Sequence, residues 1–417
     1  MSFQQGLSGL NTTSKSLEVI GNNIANANTF GAKGSRAEFS DMYAAALNGA
    51  GTNNIGIGVS LAAVSQQFTQ GSITATENPM DLALNGGGFF QLSDTSGSTV
   101  YSRNGQFKVD QNGYIVNNGS MKLMGYMADN NGVIQPGAAV PLQLPTAGIN
   151  PQVTTKISLE FNLDKSEGIT PATSPLIDFD DPTTYAEATE ATVYDAAGQP
   201  VTVSYYFQKT ADDTWNVFAR ANGTTCAGTD ADPQPVTTLT FSADGSTFNS
   251  SSNTLDVPTT VDANGVSTLA IPGVEMDFSG STQYGSAFGV TNLDQDGYSA
   301  GSLSGITFDN SGIVMARYTN GQTKPAGQLQ LANFRNPQGL QPLGGNGWRT
   351  TYASGDPLVG TPGSGAFGVL QAGALEESNV DLTGELVNMI TAQRNYQANA
   401  QTIKTMDQVM QTLVNLR

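Results

Sequence analysis

Both ends of this chain carry an apolar stripe at helical spacing. Near the start, Phe3, Leu7, Leu10, Leu17 and Ile24 recur on steps of three and four residues or their sums. Near the finish, Leu382, Leu386, Met389, Tyr396, Ala400, Ile403, Met410 and Leu413 keep the same rhythm. That spacing puts one apolar seam on each of two helices, as in a coiled coil. A lone helix of the first segment's length is marginal in water. Each seam therefore needs a cover, supplied by the other end of the chain or by further copies of it. The spacing leaves open which.

The stretch between the ends has a different character. Only 12% of the residues are charged, about half the usual ~25%. Of 52 ionisable Asp, Glu, Lys and Arg, 35 are acidic and the net charge is −18, which argues against a nucleic-acid partner. Residues 157–316 alone hold 21 acidic and three basic side chains, read as a solvated acidic surface. There is no histidine, so the commonest general base and transition-metal ligand are missing. Cys226 is the only cysteine, which rules out an intrachain disulfide. Its Gly-Thr-Thr-Cys-Ala-Gly setting reads as a loop thiol. No segment nears the ~20 apolar residues of a membrane span. No basic, then hydrophobic, leader of a cleaved signal opens the chain.

Along the chain, a first helix is expected over about 3–25. The Asn-rich run that follows favours turns and ends it. Short apolar clusters set between turns mark a β region from about residue 80. One turn recurs as Asp-x-x-Gly, starting at Asp94, Asp110, Asp129, Asp195, Asp262, Asp277 and Asp309. Asp first and Gly fourth suit a type I turn closing a hairpin. Prolines near 145–150 mark a change of domain, and the pattern that began near residue 80 returns after about 285. The fold class expected is mainly β with α-helical termini. Two β domains are nested, the middle one inserted, beside a discontinuous coiled-coil domain made by the two ends. The domain boundaries expected are 1–28 with 375–417 for the helices, and 29–79 with 366–374 for connectors. The discontinuous β domain takes 80–146 with 284–365, and the insert 147–283.

No catalytic, cofactor-binding or metal-binding constellation emerges. Asn85-Gly-Gly-Gly88 lacks the Lys-Ser/Thr of a phosphate loop and reads as a strand entry or bulge. Asp180 and Asp181 are adjacent, so on a strand they face opposite ways. Asp294-Gln-Asp296-Gly297 lacks the third acidic ligand and distal Glu of a calcium loop. Tyr205 and Tyr206 read as a strand with one face buried.

Two runs carry a resemblance. Gly21-Asn-Asn-Ile-Ala-Asn-Ala-Asn-Thr-Phe-Gly-Ala-Lys33 closely resembles the N-terminal signature of the bacterial flagellar rod and hook proteins. Glu377-Ser-Asn-Val-Asp-Leu-Thr-Gly-Glu-Leu-Val-Asn-Met-Ile-Thr-Ala-Gln-Arg-Asn-Tyr-Gln-Ala-Asn-Ala400 looks like their C-terminal one. The signature positions are Asn22, Asn23, Ile24, Ala25, Asn26, Asn28 and Thr29, then Ser378, Asn379, Val380, Asp381, Gln393, Arg394 and Tyr396. The similarity extends inward through Tyr101-Ser-Arg-Asn-Gly105 and Gly327-Gln-Leu-Gln-Leu-Ala-Asn-Phe334. Many relatives have Gly-Phe-Lys where this chain has Phe30-Gly-Ala-Lys33. Within the family, length and the inserted segment favour hook over rod subunits. The resemblance implies a non-enzymatic homopolymer without cofactors: a curved, bendable tube that carries torque from rod to filament. It implies rod, hook-cap, hook-length-control and hook–filament junction proteins as partners. It also implies type III export to the extracellular hook, without a cleaved signal. The competing readings are a distal rod protein and a secreted β-rich adhesin with oligomerising ends.

Overall fold

The computed structural model describes residues 2–43, 56–129, 132–145, 148–171, 176–246, 248–250, 254–262 and 265–415. Helices stand at both ends: α1 over Ser2–Ala25 and α2 over Leu382–Asn415. The Asn run ends α1 as expected. Asn26 donates both its backbone N–H, at 3.1 Å, and its side-chain amide, at 2.9 Å, to the Asn22 carbonyl, the local side-chain bonding by which Asn favours turns. Ala27 N–H then steps back to Ile24 O. The rest is strand, in two compact units: 1–146 with 305–317 and 323–417, and 147–304 with 318–322.

In the first unit, strands from the two halves of the chain share one sheet, the early strands flanked on both sides by late ones. Thr323–Leu329, Lys122–Met127, Phe89–Ser93, Thr99–Ser102, Gly347–Arg349 and Gln341–Gly344 follow one another across one sheet. An aromatic cluster fastens them. Phe89 meets Phe334, Trp348 and Phe68 edge-on with ring centres 5.6–5.8 Å apart, a geometry that adds to plain burial. The connectors pair with each other as well: Ile73–Ala75 with Ala374–Glu376, and Leu82–Asn85 with Val369–Ala372. The expected connector 29–79 holds more structure than a connector. Strands β1 (Ser35–Tyr43) and β2 (Gly56–Gln66) form a long antiparallel hairpin.

The second unit sandwiches one core between two sheets. One sheet runs Glu187–Tyr194, Pro200–Ala211, Thr214–Ala221, Thr237–Phe241, Phe248–Ser250. The other runs Thr254–Val257, Ile271–Asp277, Lys156–Asn162, Gly289–Gln295. Val201, Val203, Tyr205 and Phe207 alternate inward, the period-two pattern of a half-buried strand. They meet Phe161 and Trp215, both fully buried. The insert extends past the expected boundary at 283. Gly289–Gln295 pairs antiparallel with Lys156–Asn162; being polar and exposed on both faces, it has no alternation to betray it.

Six of the seven Asp-x-x-Gly turns close with the Gly N–H on the Asp carbonyl at 2.9–3.0 Å, with Gly φ of 78–81°. The turn at Asp277 is built differently, its carboxylate bonding Ser279 N–H at 3.0 Å and Lys156 at 2.9 Å. The Asp296 carboxylate is spent within the fold, accepting from Thr155 N–H at 2.8 Å, Lys156 N–H at 3.0 Å and the Thr155 hydroxyl.

Cys226 lies in a bend between strands, as the loop reading expects, but is half-buried. It packs against the core of the second unit, and burial pushes its thiol up to about 12. Thiolate is the reactive form. Iodoacetamide at pH 8 should therefore leave the native chain unlabelled and label it within minutes in urea. Equal rates in both would show the thiol to be accessible.

Candidate assembly interface

The two terminal helices pack on each other within the chain, through a seam one residue out of phase with the apolar stripe. On α1 the contacting positions are Gly6 and Gly9. A Cβ at Gly6 would lie 3.1 Å from Ile403 Cγ1, and one at Gly9 would lie 2.9 Å from the Asn399 amide nitrogen. Small residues let the two backbones approach. Further along, Ile20, Asn23 and Ala392 are buried. One step of an α-helix is about 100°, so a seam shifted by one residue turns the apolar stripe sideways.

Half of the described apolar stripe is accordingly left in the open. Phe3 (52% exposed), Leu7, Leu382, Leu386, Tyr396 and Met410 (63%) are exposed. Leu10, Leu17, Ile24, Met389, Ala400 and Ile403 are half-buried. Of these, Ile403 also meets the internal seam at Gly6. The Leu413 side chain lies outside the described part. Val387, Ile390 and Val409, absent from the expected stripe, are exposed too.

Below the helices lies a polar joint that explains many of the signature residues. Asn23 is buried. Its amide donates to Ser35 O at 2.7 Å and Glu385 Oε1 at 3.0 Å, and its Oδ1 accepts from Ser35 N–H at 2.8 Å. Asn23 thus ties α1 to the root of β1 and to α2. Asn379 does the same from the other end. It accepts from Gly34 N–H at 2.8 Å and donates to Gln67 O at 2.6 Å and Thr69 Oγ1 at 2.8 Å. Asp381 caps α2 by accepting from Thr383 N–H at 3.0 Å, the role of an N-cap carboxylate. Ser378 Oγ accepts from Val380 N–H at 3.3 Å, and Thr29 N–H closes onto Asn26 O at 3.0 Å. Asn22, Ala25, Asn28, Gln393 and Arg394 are exposed or half-buried. Among the described residues, no contact explains Asn28, Gln393 or Arg394.

At the centre of the joint, Glu376 holds two cations. Lys33 Nζ sits 2.6 Å from Oε1 and Arg103 Nη1 3.1 Å from Oε2; the Lys33 and Glu376 side chains are wholly buried and that of Arg103 is 6% exposed. Lys33 also donates to Thr69 O at 2.7 Å, Arg103 to Gly86 O at 3.0 Å, and Gly71 N–H to Glu376 Oε1 at 3.0 Å. Burial pulls the Lys33 ammonium and the Arg103 guanidinium below their ordinary values, with Glu376 pulling the other way. Three segments far apart in sequence meet at one carboxylate: the exit of α1, the β sheet, and the approach to α2. An open groove of about 670 Å³ runs above the joint, lined by Val19, Asn23, Gln67, Asn379 and Asn388 among others. Among the described residues, no group of three or more His, Cys, Asp or Glu side chains could hold a metal.

Sequence reasoning missed the Glu376 centre. Glu376 stands one residue before the quoted signature, and its partners are 343 and 273 residues away. Gly6-x-x-Gly9 was the one readable sign of close helix approach.

Known proteins resemble this chain over its whole length. Four family models match: "Flagella basal body rod protein" over 3–33, "Flagellar hook protein FlgE/F/G D1 domain" over 83–160, "Flagellar basal body protein FlaE D2 domain" over 162–298, and "Flagellar basal body rod FlgEFG protein C-terminal" over 371–416. The chain is 42% identical over 420 residues to the flagellar hook protein FlgE of Salmonella typhimurium and 41% identical over 429 residues to that of Escherichia coli, with all of each chain covered. It is 34% identical to the hook protein of Rhizobium meliloti, covering 98% of that chain. The crystal structure of Helicobacter pylori flagellar hook protein FlgE2 shares the fold at 15% identity and a TM-score of 0.50, covering 73% of this chain and all of that one.

Proposed function

The chain belongs to the flagellar hook protein family FlgE, and on that premise we propose how its terminal helices build the hook. The chain is a structural subunit of the bacterial flagellum. Full-length kinship with hook proteins favours the hook over the distal rod and over an adhesin. The apolar stripe left open by the internal seam carries the reading. It supplies contacts to neighbouring copies, while the seam through Gly6 and Gly9 holds each subunit's own ends together. Burying a side chain that is about half exposed is worth on the order of 1 kcal/mol. Nine exposed large apolar side chains on α1 and α2 thus give a cooperative drive to polymerise.

The helices form the inner wall of a tube and the β units lie outside it. The tube bends as a universal joint that carries torque from rod to filament. Subunits travel through the type III export apparatus to the extracellular hook. They meet rod, cap, length-control and junction proteins there. No cofactor, nucleic acid or membrane insertion belongs to this reading, and no catalytic step.

Leu386→Ala combined with Met410→Ala tests it. Both side chains are exposed in the single chain, so its melting should move within the ~0.5 kcal/mol typical of surface changes. Under electron microscopy the wild type should give hollow curved tubes and the double variant none. Normal tubes from the double variant would overturn the role given to the stripe.

A further inference from the structure

Away from the terminal helices, one side chain stands wholly outside the protein on a rigid mount. Tyr352 is 105% exposed, yet the turn that bears it is held on both sides. Thr351 donates to Gly339 O at 2.6 Å, and its N–H donates to Ser354 Oγ at 3.0 Å. The Ser354 hydroxyl returns to Thr351 O at 2.9 Å, and Asn336 donates to Ala353 O at 3.0 Å. Ser354 itself is buried. A loose loop would spend entropy to hold a tyrosine against a partner; this turn is already ordered.

Arg335 adjoins Asn336 on one side of the turn, and Arg349 precedes it on the other. Both are exposed. Neither pairs with a carboxylate among the described residues, and Arg349 reaches only Gln341 Oε1 at 3.4 Å. Tyr and Arg are the side chains that carry most binding energy at protein interfaces. Two unpaired guanidinium groups ask for an acidic partner surface. Residues 147–304 of every copy offer one, with 20 acidic side chains against four basic.

We propose that the Tyr352 turn, flanked by Arg335 and Arg349, is a docking anchor that rests on the acidic second unit of another copy in the assembled tube. The inference depends on the assembly reading above. In its test, tubes are grown from full-length chain in which a photo-crosslinking benzoylphenylalanine replaces Tyr352. Irradiation should give a crosslinked dimer whose junction peptide lies within 147–304 of the neighbour. R335E with R349E should abolish that crosslink while leaving the subunit's melting temperature unchanged. Failure to form tubes in the unmodified chain would overturn the assembly reading itself. Tubes with no crosslink, a junction outside 147–304, or full crosslinking in the charge-reversed variant would overturn the anchor alone.

Discussion

Glu376→Ala should destabilise the first unit by about 3–5 kcal/mol, the usual cost of removing one partner from a buried ion group. Lys33 and Arg103 would remain charged, dry and facing each other, left with the Thr69 and Gly86 carbonyl oxygens and the Phe89 ring under Arg103. Glu376→Gln keeps the shape and can still accept from Gly71 N–H, so it should lose less. Replacing all three by apolar side chains of similar size, as K33M, R103M and E376L together, should recover most of the loss, because the desolvation cost goes with the charges. The chain's two tryptophans make this measurable. Trp348 lies in the aromatic cluster of the first unit and Trp215 in the core of the second. Urea unfolding followed by Trp348 fluorescence in a Trp215→Phe background reads the joint alone. An unchanged midpoint for Glu376→Ala would mean that the charges are hydrated. The pH dependence runs opposite to an ordinary ion pair. Lys33 has a lowered value in the fold, so the unfolded chain holds its proton to higher pH. Its contribution to stability therefore rises as pH climbs from the folded value towards the unfolded value of about 10.4.

Gly105→Ala should be nearly as damaging, for a steric reason. A Cβ at Gly105 would fall 1.6 Å from the Leu82 carbonyl oxygen and 2.7 Å from its carbon. These are backbone atoms of a fully buried residue whose N–H bonds the Gly105 carbonyl at 3.0 Å. No rotamer change relieves the clash, so two paired segments must part. The expected cost is about 3 kcal/mol or more, at or above the usual range for overpacking. Because Arg103 lies two residues away, the Glu376 centre should loosen with it. Gly137→Ala is the control, with nothing within 4 Å of its Cβ and an effect expected within about 0.5 kcal/mol. Equal midpoints for the two variants would show that the 80–105 region rearranges freely.

Local chemistry was legible in this sequence, and distant pairing was not. The ends of α1 and α2 follow from periodicity and from Asn26, and six of the Asp-x-x-Gly turns follow from two residue types with fixed conformational preferences. The terminal signatures pointed to the family before any geometry was known. The Glu376 centre was invisible because a lone Glu carries no sign of its partners, and only the fold brings Lys33 and Arg103 to it. Gly289–Gln295 was placed outside the insert because an exposed edge strand need not alternate. The apolar stripes could be read, but their orientation could not. That depended on Gly6 and Gly9 diverting the internal seam by one residue, and a missing side chain leaves no mark in a hydrophobic pattern.

In the proposed assembly, the one-residue offset between the internal seam and the apolar stripe has a consequence for how such a wall breaks. A helix with one face engaged at home and another engaged abroad is a node, not a link in a row. Joined nodes make a mesh, and a mesh shares load: when one bond lets go, its neighbours hold the node in register until the bond re-forms. A row of links joined through single seams would instead unzip from its first failure. In the assembly proposed above, the phase shift at the two glycines is thus a provision against fracture.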